Sequence, residues 1–203
     1  MPVRPPRERM VRSAAQLMRR KGVSGTGMRE IVVDADAPRG SLQHYFPGGK
    51  EELVGEALRW MGAVAARRVR RHVERLDPKT PSALLTALVD DWRVDLTREG
   101  FTAGCPLVAA AADVASTSEH IRGVLVEAFD GWQVPMTNAL VELGVPAERA
   151  PALAMVVISA LEGAIVIARI RGDLAPLDAL ADELGPVLDA SAGPRRRGTP
   201  RGS

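Results

Sequence analysis

Cysteine and aromatic residues are scarce in this chain. One cysteine, Cys105, stands among 203 residues. That excludes a disulfide framework and a four-cysteine metal site, and it suits a reducing compartment such as the cytoplasm. Only three Trp, three Phe and one Tyr are present. Runs of alternating β-branched residues are almost absent, so there is little material for a sheet. The three histidines, His44, His72 and His120, are scattered, and none forms a readable triad with Ser and Asp. The start, Met1 to Arg9, is basic and proline-rich where a signal peptide would be apolar. The longest apolar tract, Ala152 to Ala168, is interrupted by Ser159 and Glu162 and reads as a buried helix, not a membrane span.

Two glycine motifs also fail. A phosphate loop ending at Gly49-Lys50 would need glycine at position 44 and Ser or Thr at 51, where the chain has His44 and Glu51. Gly25-x-Gly27 continues with Glu30, which breaks the dinucleotide pattern. Cys105, in Gly-Cys-Pro-Leu at a helix start, is placed where a thiol pKa can fall, but no catalytic base is readable beside it. It reads as a packed small hydrophobe. The expectation is a protein that is no enzyme and holds no metal or cofactor.

Charge is plentiful and unevenly spread. Residues 1–75 carry sixteen Lys/Arg against eight Asp/Glu, and residues 76–193 carry seven against seventeen. A basic first third on an acidic body points to a polyanion partner for the first third alone. Ala, Leu, Arg and Glu dominate, which favours an all-α chain.

Helix punctuation divides the chain. Pro5 and Pro6 open a helix to Lys21, closed by Gly22, with Met10, Ala14, Leu17 and Met18 on one face and the arginines at 9, 12, 19 and 20 largely elsewhere. A short helix is expected over 28–35, with Gly27 at its N-cap, then a tight turn at Ala35-Asp36-Ala37. Pro38 is expected to open a third helix, reaching about Phe46. Pro47-Gly48-Gly49 breaks it, and a long helix runs from Lys50 to Arg75. Further helices are expected over about 81–98, after Pro106, over 119–143 with a kink at Pro135, over 147–171, and from Pro176 to about Ala190.

Two short helices joined by a tight turn, behind a longer supporting helix and within a basic segment, form a helix-turn-helix pattern. The second short helix would enter the major groove, with Pro38, Arg39, Gly40 and Ser41 at base edges. Arg39 could pair with guanine, worth ~1–3 kcal/mol of discrimination. The first would offer its N-terminus at Gly27 to a phosphate. His44 points toward bases and Tyr45 toward the backbone, and Lys50 meets a flanking phosphate. Leu42, Phe46 and Ile31 would be core.

The stretch from about Arg9 to Leu58 resembles the DNA-binding domain of TetR/AcrR-type one-component repressors. The likeness lies in Ala14-Ala15-x-Leu17, Gly22, Thr26, Ile31, Arg39-Gly40-Ser41-Leu42 through Phe46, and Lys50-Glu51-x-Leu53. It implies DNA contacts at Thr26, Gly27, Met28 and Gln43 as well. Gly27 replaces a common second Thr, Asp36 a turn glycine, Gln43 a phosphate-contacting Tyr, and Tyr45 a His. Phe46-Pro47-Gly48-Gly49-Lys50 and Gly104-Cys105-Pro106-Leu107 resemble a subgroup that includes repressors of drug-efflux and flavonoid-degradation genes.

The resemblance implies a homodimer with a helix-turn-helix head at 1–48, an effector-binding and dimerisation body at 49–191, and a basic tail at 192–203. The partners would be a double-stranded DNA operator and a small apolar or aromatic effector, with no membrane. Trp60, Met61, Trp92, Phe101, Trp132, Met136, Met155 and Ile158 are the candidate pocket residues. Glu162 is either a polar anchor in the apolar tract or a solvent-facing edge. Leu153, Val157, Leu161 and Ala164 are the expected dimer stripe, with the last helix completing a two-fold four-helix interface. The alternative function is an architectural protein whose basic head binds polyanions without sequence choice.

Overall fold

The computed structural model describes residues 4–38 and 40–193. Arg39 and the arginines of the tail beyond Gly193 lie outside the described residues. The described residues are all-helical, with no strand among them: α1 Pro6–Lys21, α2 Met28–Asp34, α3 Ser41–Tyr45, α4 Gly49–Arg75, α5 Pro81–Arg98, α6 Pro106–Val114, α7 Glu119–Glu142, α8 Ala150–Arg171 and α9 Ala175–Ser191.

Local chemistry sets most of these ends. Thr80 and Ser118 cap α5 and α7 by accepting from the Ala83 and Ile121 amides, which satisfies donors a helix start leaves open. Prolines occupy the first turn of α1, α5, α6, α8 and α9, where no amide is needed. Gly49 holds φ +74°, in the left-handed region, and this is the break between α3 and α4. The helix expected from Pro38 begins at Ser41 instead. The Pro38 carbonyl accepts the Ser41 amide (2.9 Å) and hydroxyl (2.6 Å), so Ser41 is tied back to Pro38 at the start of α3.

Two apolar clusters lie along α4. The first gathers Val69 and Val73 of α4 with α5, α7, α8 and α9, around Trp92, Trp132, Met136 and Leu161. The second joins Leu53, Val54, Ala57 and Leu58 of α4 to Met10, Ala14 and Met18 of α1 and to Ile31 and Phe46. That second cluster also takes in Leu107 and Ala110 of α6 and Ile121, Val124 and Leu125 of α7. The core of the head therefore continues into the body across the expected boundary at 48. Where α4 crosses α7, a Cβ on Gly62 would sit 2.8 Å from the Ala128 carbonyl oxygen. Only glycine allows that approach.

The expected dimer stripe is corrected here. Val157 (2 % exposed), Leu161 (1 %) and Ala164 face the protomer's own core, and Leu153 packs against it. The face left open on α8 carries Met155 (49 %), Val156, Val166, Ile167 (50 %) and Ile170 (79 %). Both faces are apolar. Helical periodicity shows two stripes but cannot say which meets α5, α7 and α9. By length and composition α8 could cross a membrane, yet nearly half of its apolar window is buried inside the body.

Candidate DNA-binding head and ligand cavity

The head is built around Arg9. Its Nε donates to the Ala35 carbonyl (2.8 Å) and its Nη2 to the Asp36 carbonyl (2.5 Å), so α1 holds the turn between the two short helices. Asp36 has φ +47°. Aspartate tolerates the left-handed region better than most side chains, which is how this chain makes the turn without glycine. Ser13 adds a second tie, its hydroxyl donating to Asp34 Oδ2 (2.6 Å).

Phe46 and Ile31 are fully buried, with Leu42 half-buried beside them, so α3 is pinned through that side. Its other side presents Gln43 and His44 to solvent, with Pro38 and Gly40 exposed just before it. Tyr45 is half-buried against the head core and meets the His44 ring edge-on at 4.9 Å. Gln43 Nε2 is 3.4 Å from the Pro47 carbonyl. Gly27 is exposed at the N-terminus of α2, Met28 half-buried, and Lys50 half-buried in the first turn of α4.

Thr26 departs from expectation. It is fully buried and its hydroxyl donates to the Gly22 carbonyl (2.6 Å), so in this arrangement it braces the α1–α2 loop and offers nothing to a phosphate. Ser41 remains at the exposed edge, but its hydroxyl is engaged with Pro38.

In the body, a cavity of about 40 Å³ is lined by Met61 and Arg68 of α4, Trp92 of α5, Trp132 of α7, Glu162 of α8 and Cys105, among others. Of the eight expected pocket residues, Met61, Trp92 and Trp132 are there. The others are placed elsewhere. Trp60 lies under the Arg12 guanidinium (5.0 Å). Met136 and Ile158 are packed core, Phe101 packs beside that core, and Met155 is exposed on the open face of α8. Aromatic and Met content marks candidates but cannot separate packed core from cavity wall.

The cavity's polar wall was less legible. Arg68 bonds Asp95 (3.3 Å) and lies 3.7 Å from Asp91, and Asp91 meets His72 at 2.9 Å. Glu162 is buried without a partner for either carboxylate oxygen among the described residues, and the Trp132 indole N–H is likewise unpaired. Burial raises the Glu162 carboxyl to about 7, and the nearby Cys105 thiol offsets little of this. Burial, with Glu162 adding to it, also raises the Cys105 thiol well above its ordinary value, against the pull of the α6 amides. The lowering suggested by its helix-start position loses to desolvation, and Cys105 stays a neutral thiol at pH 7.

Two ties join this region to the head. Arg19 of α1 is buried and bonds both Gly104, next to Cys105, and Asp95 (3.4 Å). At the other end of α6, Asp113 accepts from the Ser24 amide (2.6 Å) and hydroxyl (2.7 Å), which holds its carboxyl below the usual range.

Residues 11–57 match the family model for bacterial regulatory proteins of the tetR family, and residues 81–183 match the C-terminal domain of LmrA/YxaF-like transcriptional regulators. The chain is 38% identical over 197 residues to the helix-turn-helix regulator Rv0196 of Mycobacterium tuberculosis, covering 95% of this chain and 98% of the relative. The helix-turn-helix repressor NemR of Escherichia coli is 25% identical over 134 residues, 66% of each chain. A TetR regulatory protein from Rhodobacter sphaeroides has the same fold, with a TM-score of 0.76 at 24% identity over 88% of this chain and 96% of that one.

Proposed function

The chain belongs to the TetR family of bacterial transcriptional regulators, DNA-binding proteins of the helix-turn-helix type, and from that premise we propose a homodimeric repressor released from a pseudo-palindromic operator by a small apolar or aromatic effector. One observation carries this reading. The helix that leaves the DNA-binding head, α4, also forms a wall of the body's cavity through Met61 and Arg68.

The reading face is Pro38, Arg39, Gly40, Gln43 and His44, with Gly27, Met28, Tyr45 and Lys50 toward the phosphates. The open stripe of α8, Met155 to Ile170, joins α9 of each protomer in a two-fold interface, which sets the two heads about one DNA turn apart, ~34–36 Å, or a related distance. Occupying the operator blocks transcription without any further contact, in the cytoplasm where the DNA is. The repressor NemR among the relatives supports that sense.

The cavity is small beside ordinary ligand pockets of roughly 300–1,000 Å³. An effector must therefore wedge α4 away from α5, α7 and α8. It also presses on Cys105 and Leu107 at the start of α6, and α6 is tied to the head through Gly104–Arg19 and Asp113–Ser24. A coupling of ~1–3 kcal/mol would change operator affinity about 5–150-fold.

The test is selection of the operator from random DNA, followed by anisotropy titrations against random duplex at rising salt. Tight sequence-selective binding, lost on combining Arg39→Ala with Lys50→Ala, is expected. Equal affinity for random DNA would favour the non-selective polyanion binder instead.

A further inference from the structure

The polar groups facing the cavity are not equivalent. Arg68 is held by Asp91 and Asp95, and Asp91 also faces Arg71 (3.6 Å) and His72. Asp95 is shared with Arg19 and Arg98, so the guanidiniums of this cluster are all engaged with carboxylates. In the same lining, Glu162 has two acceptor oxygens with no hydrogen bond on them and only the Cys105 thiol beside it, and Trp132 has a donor and no acceptor. Both line the same cavity, between the indoles of Trp92 and Trp132 and the apolar Leu88, Leu107 and Leu161. A buried acceptor pair left open costs stability unless something fills it. Here the missing partner must donate to a carboxylate, and it enters a space lined by two indoles, a ring type that attracts cations.

We propose that the cavity takes a lipophilic amine, a planar or aromatic molecule whose protonated nitrogen donates to Glu162 and which offers a hydrogen-bond acceptor to the Trp132 indole N–H. This rests on the effector reading of the cavity and narrows it from an apolar ligand to a cationic one. The ligand's charge completes an ion pair in a dry site. A neutral analogue of the same shape makes only a hydrogen bond, and an anion is repelled. Arg68 is already committed to Asp91 and Asp95, Arg169 two turns along α8 bonds the Thr102 carbonyl and makes no bond to Glu162, and Cys105 supplies only a thiol. Since the carboxylate is the form that binds, affinity rises with pH through neutrality until the amine itself deprotonates.

The experiment uses the full chain without DNA and three probes of one shape: 1-naphthylmethylamine, 1-naphthylmethanol and 1-naphthylacetate, titrated by calorimetry. The amine is expected to bind at least ~10-fold tighter than the alcohol, and the acetate weakest. Amine affinity should rise about 5-fold or more from pH 6 to pH 8. Glu162→Gln should erase both the charge preference and the pH trend. Equal affinity for amine and alcohol, tighter binding of the acetate, or no binding of any probe to the wild-type chain would overturn the proposal. So would a charge preference that survives in Glu162→Gln. The wild-type comparison stands even if the variant folds poorly. Operator binding is measured separately, so a chain that binds the amine but no DNA contradicts the repressor reading alone. A chain that binds its operator but shows no amine preference contradicts only this proposal.

Discussion

Arg19 and Gly104 hold each other through two hydrogen bonds: the Gly104 amide donates to the Arg19 carbonyl (2.9 Å), and Arg19 Nε donates to the Gly104 carbonyl (2.9 Å). The pair joins the end of α1 to the loop that carries Cys105 into the cavity wall. The guanidinium also lies 5.5 Å over the Trp92 ring and reaches Asp95. Head and body are thus fastened at a buried, charged point beside the proposed ligand.

Replacing Arg19 with Met keeps the apolar stem and the backbone bond from the Gly104 amide, and removes the guanidinium's part of this fastening. Asp95 retains Arg68 and Arg98 (2.8 Å), so it is not stranded. The expected loss of stability is therefore about 1–3 kcal/mol, short of what an orphaned buried charge costs. Urea unfolding measures it. In the same variant, the ratio of operator affinities without and with effector should fall toward one. An unchanged ratio would place the coupling in α4 alone.

Asp36 sits at φ +47°, where glycine is unstrained. Asp36→Gly keeps the backbone carbonyl that Arg9 holds. It should be neutral or stabilising by up to about 1 kcal/mol, the relief of strain being offset by glycine's larger entropy loss. Removing an acid from the head should also tighten DNA binding, more at low salt than at high salt. Thermal melts and anisotropy at two salt concentrations check the two parts.

Glu162 makes stability depend on pH. Its carboxyl titrates near 7 when folded against an ordinary 4.5, so the folded state holds its proton more tightly than the unfolded chain. Stability from this group is therefore greatest below the ordinary value and falls as pH rises through 7. The full difference is on the order of 3 kcal/mol. Glu162→Gln should flatten this fall, so that the variant gains on the wild type at pH 8 relative to pH 5. Denaturant midpoints at the two pH values decide it. A parallel decline in both proteins would remove Glu162 as the cause.

The open face of α8 gives a prediction about assembly. Ile167→Glu with Ile170→Glu places charge on exposed positions and should leave each protomer folded but monomeric by sedimentation. Losing the second head should weaken operator binding roughly 10²-fold or more. Val157→Glu, by contrast, buries a charge in the protomer core and should unfold the chain. If Ile167 and Ile170 tolerate glutamate with the dimer intact, the interface lies elsewhere.

Helix order, the helix-turn-helix head and the basic-to-acidic division follow from local chemistry: prolines at first turns, Gly22 and Gly49 at breaks, Thr80 and Ser118 at caps, and apolar spacing along α1. These signals act within a few residues, so the chain alone determined them. The start of α3 slipped by three residues because a proline suits a turn as well as a helix, and the Ser41 hydroxyl favoured the turn. Tertiary structure decided the rest. Arg19 lies off the apolar face of α1 in the sequence pattern, and only the packing of α5 sets Asp95 against it and against Arg68. Apolar residues lie on more than one face of α8, and packing alone buried Val157 and Leu161 and left Ile167 and Ile170 open. Glu162 became a buried, unpartnered group only because α4, α5 and α7 close around it, since burial is a property of several helices at once and no single helix's sequence contains it.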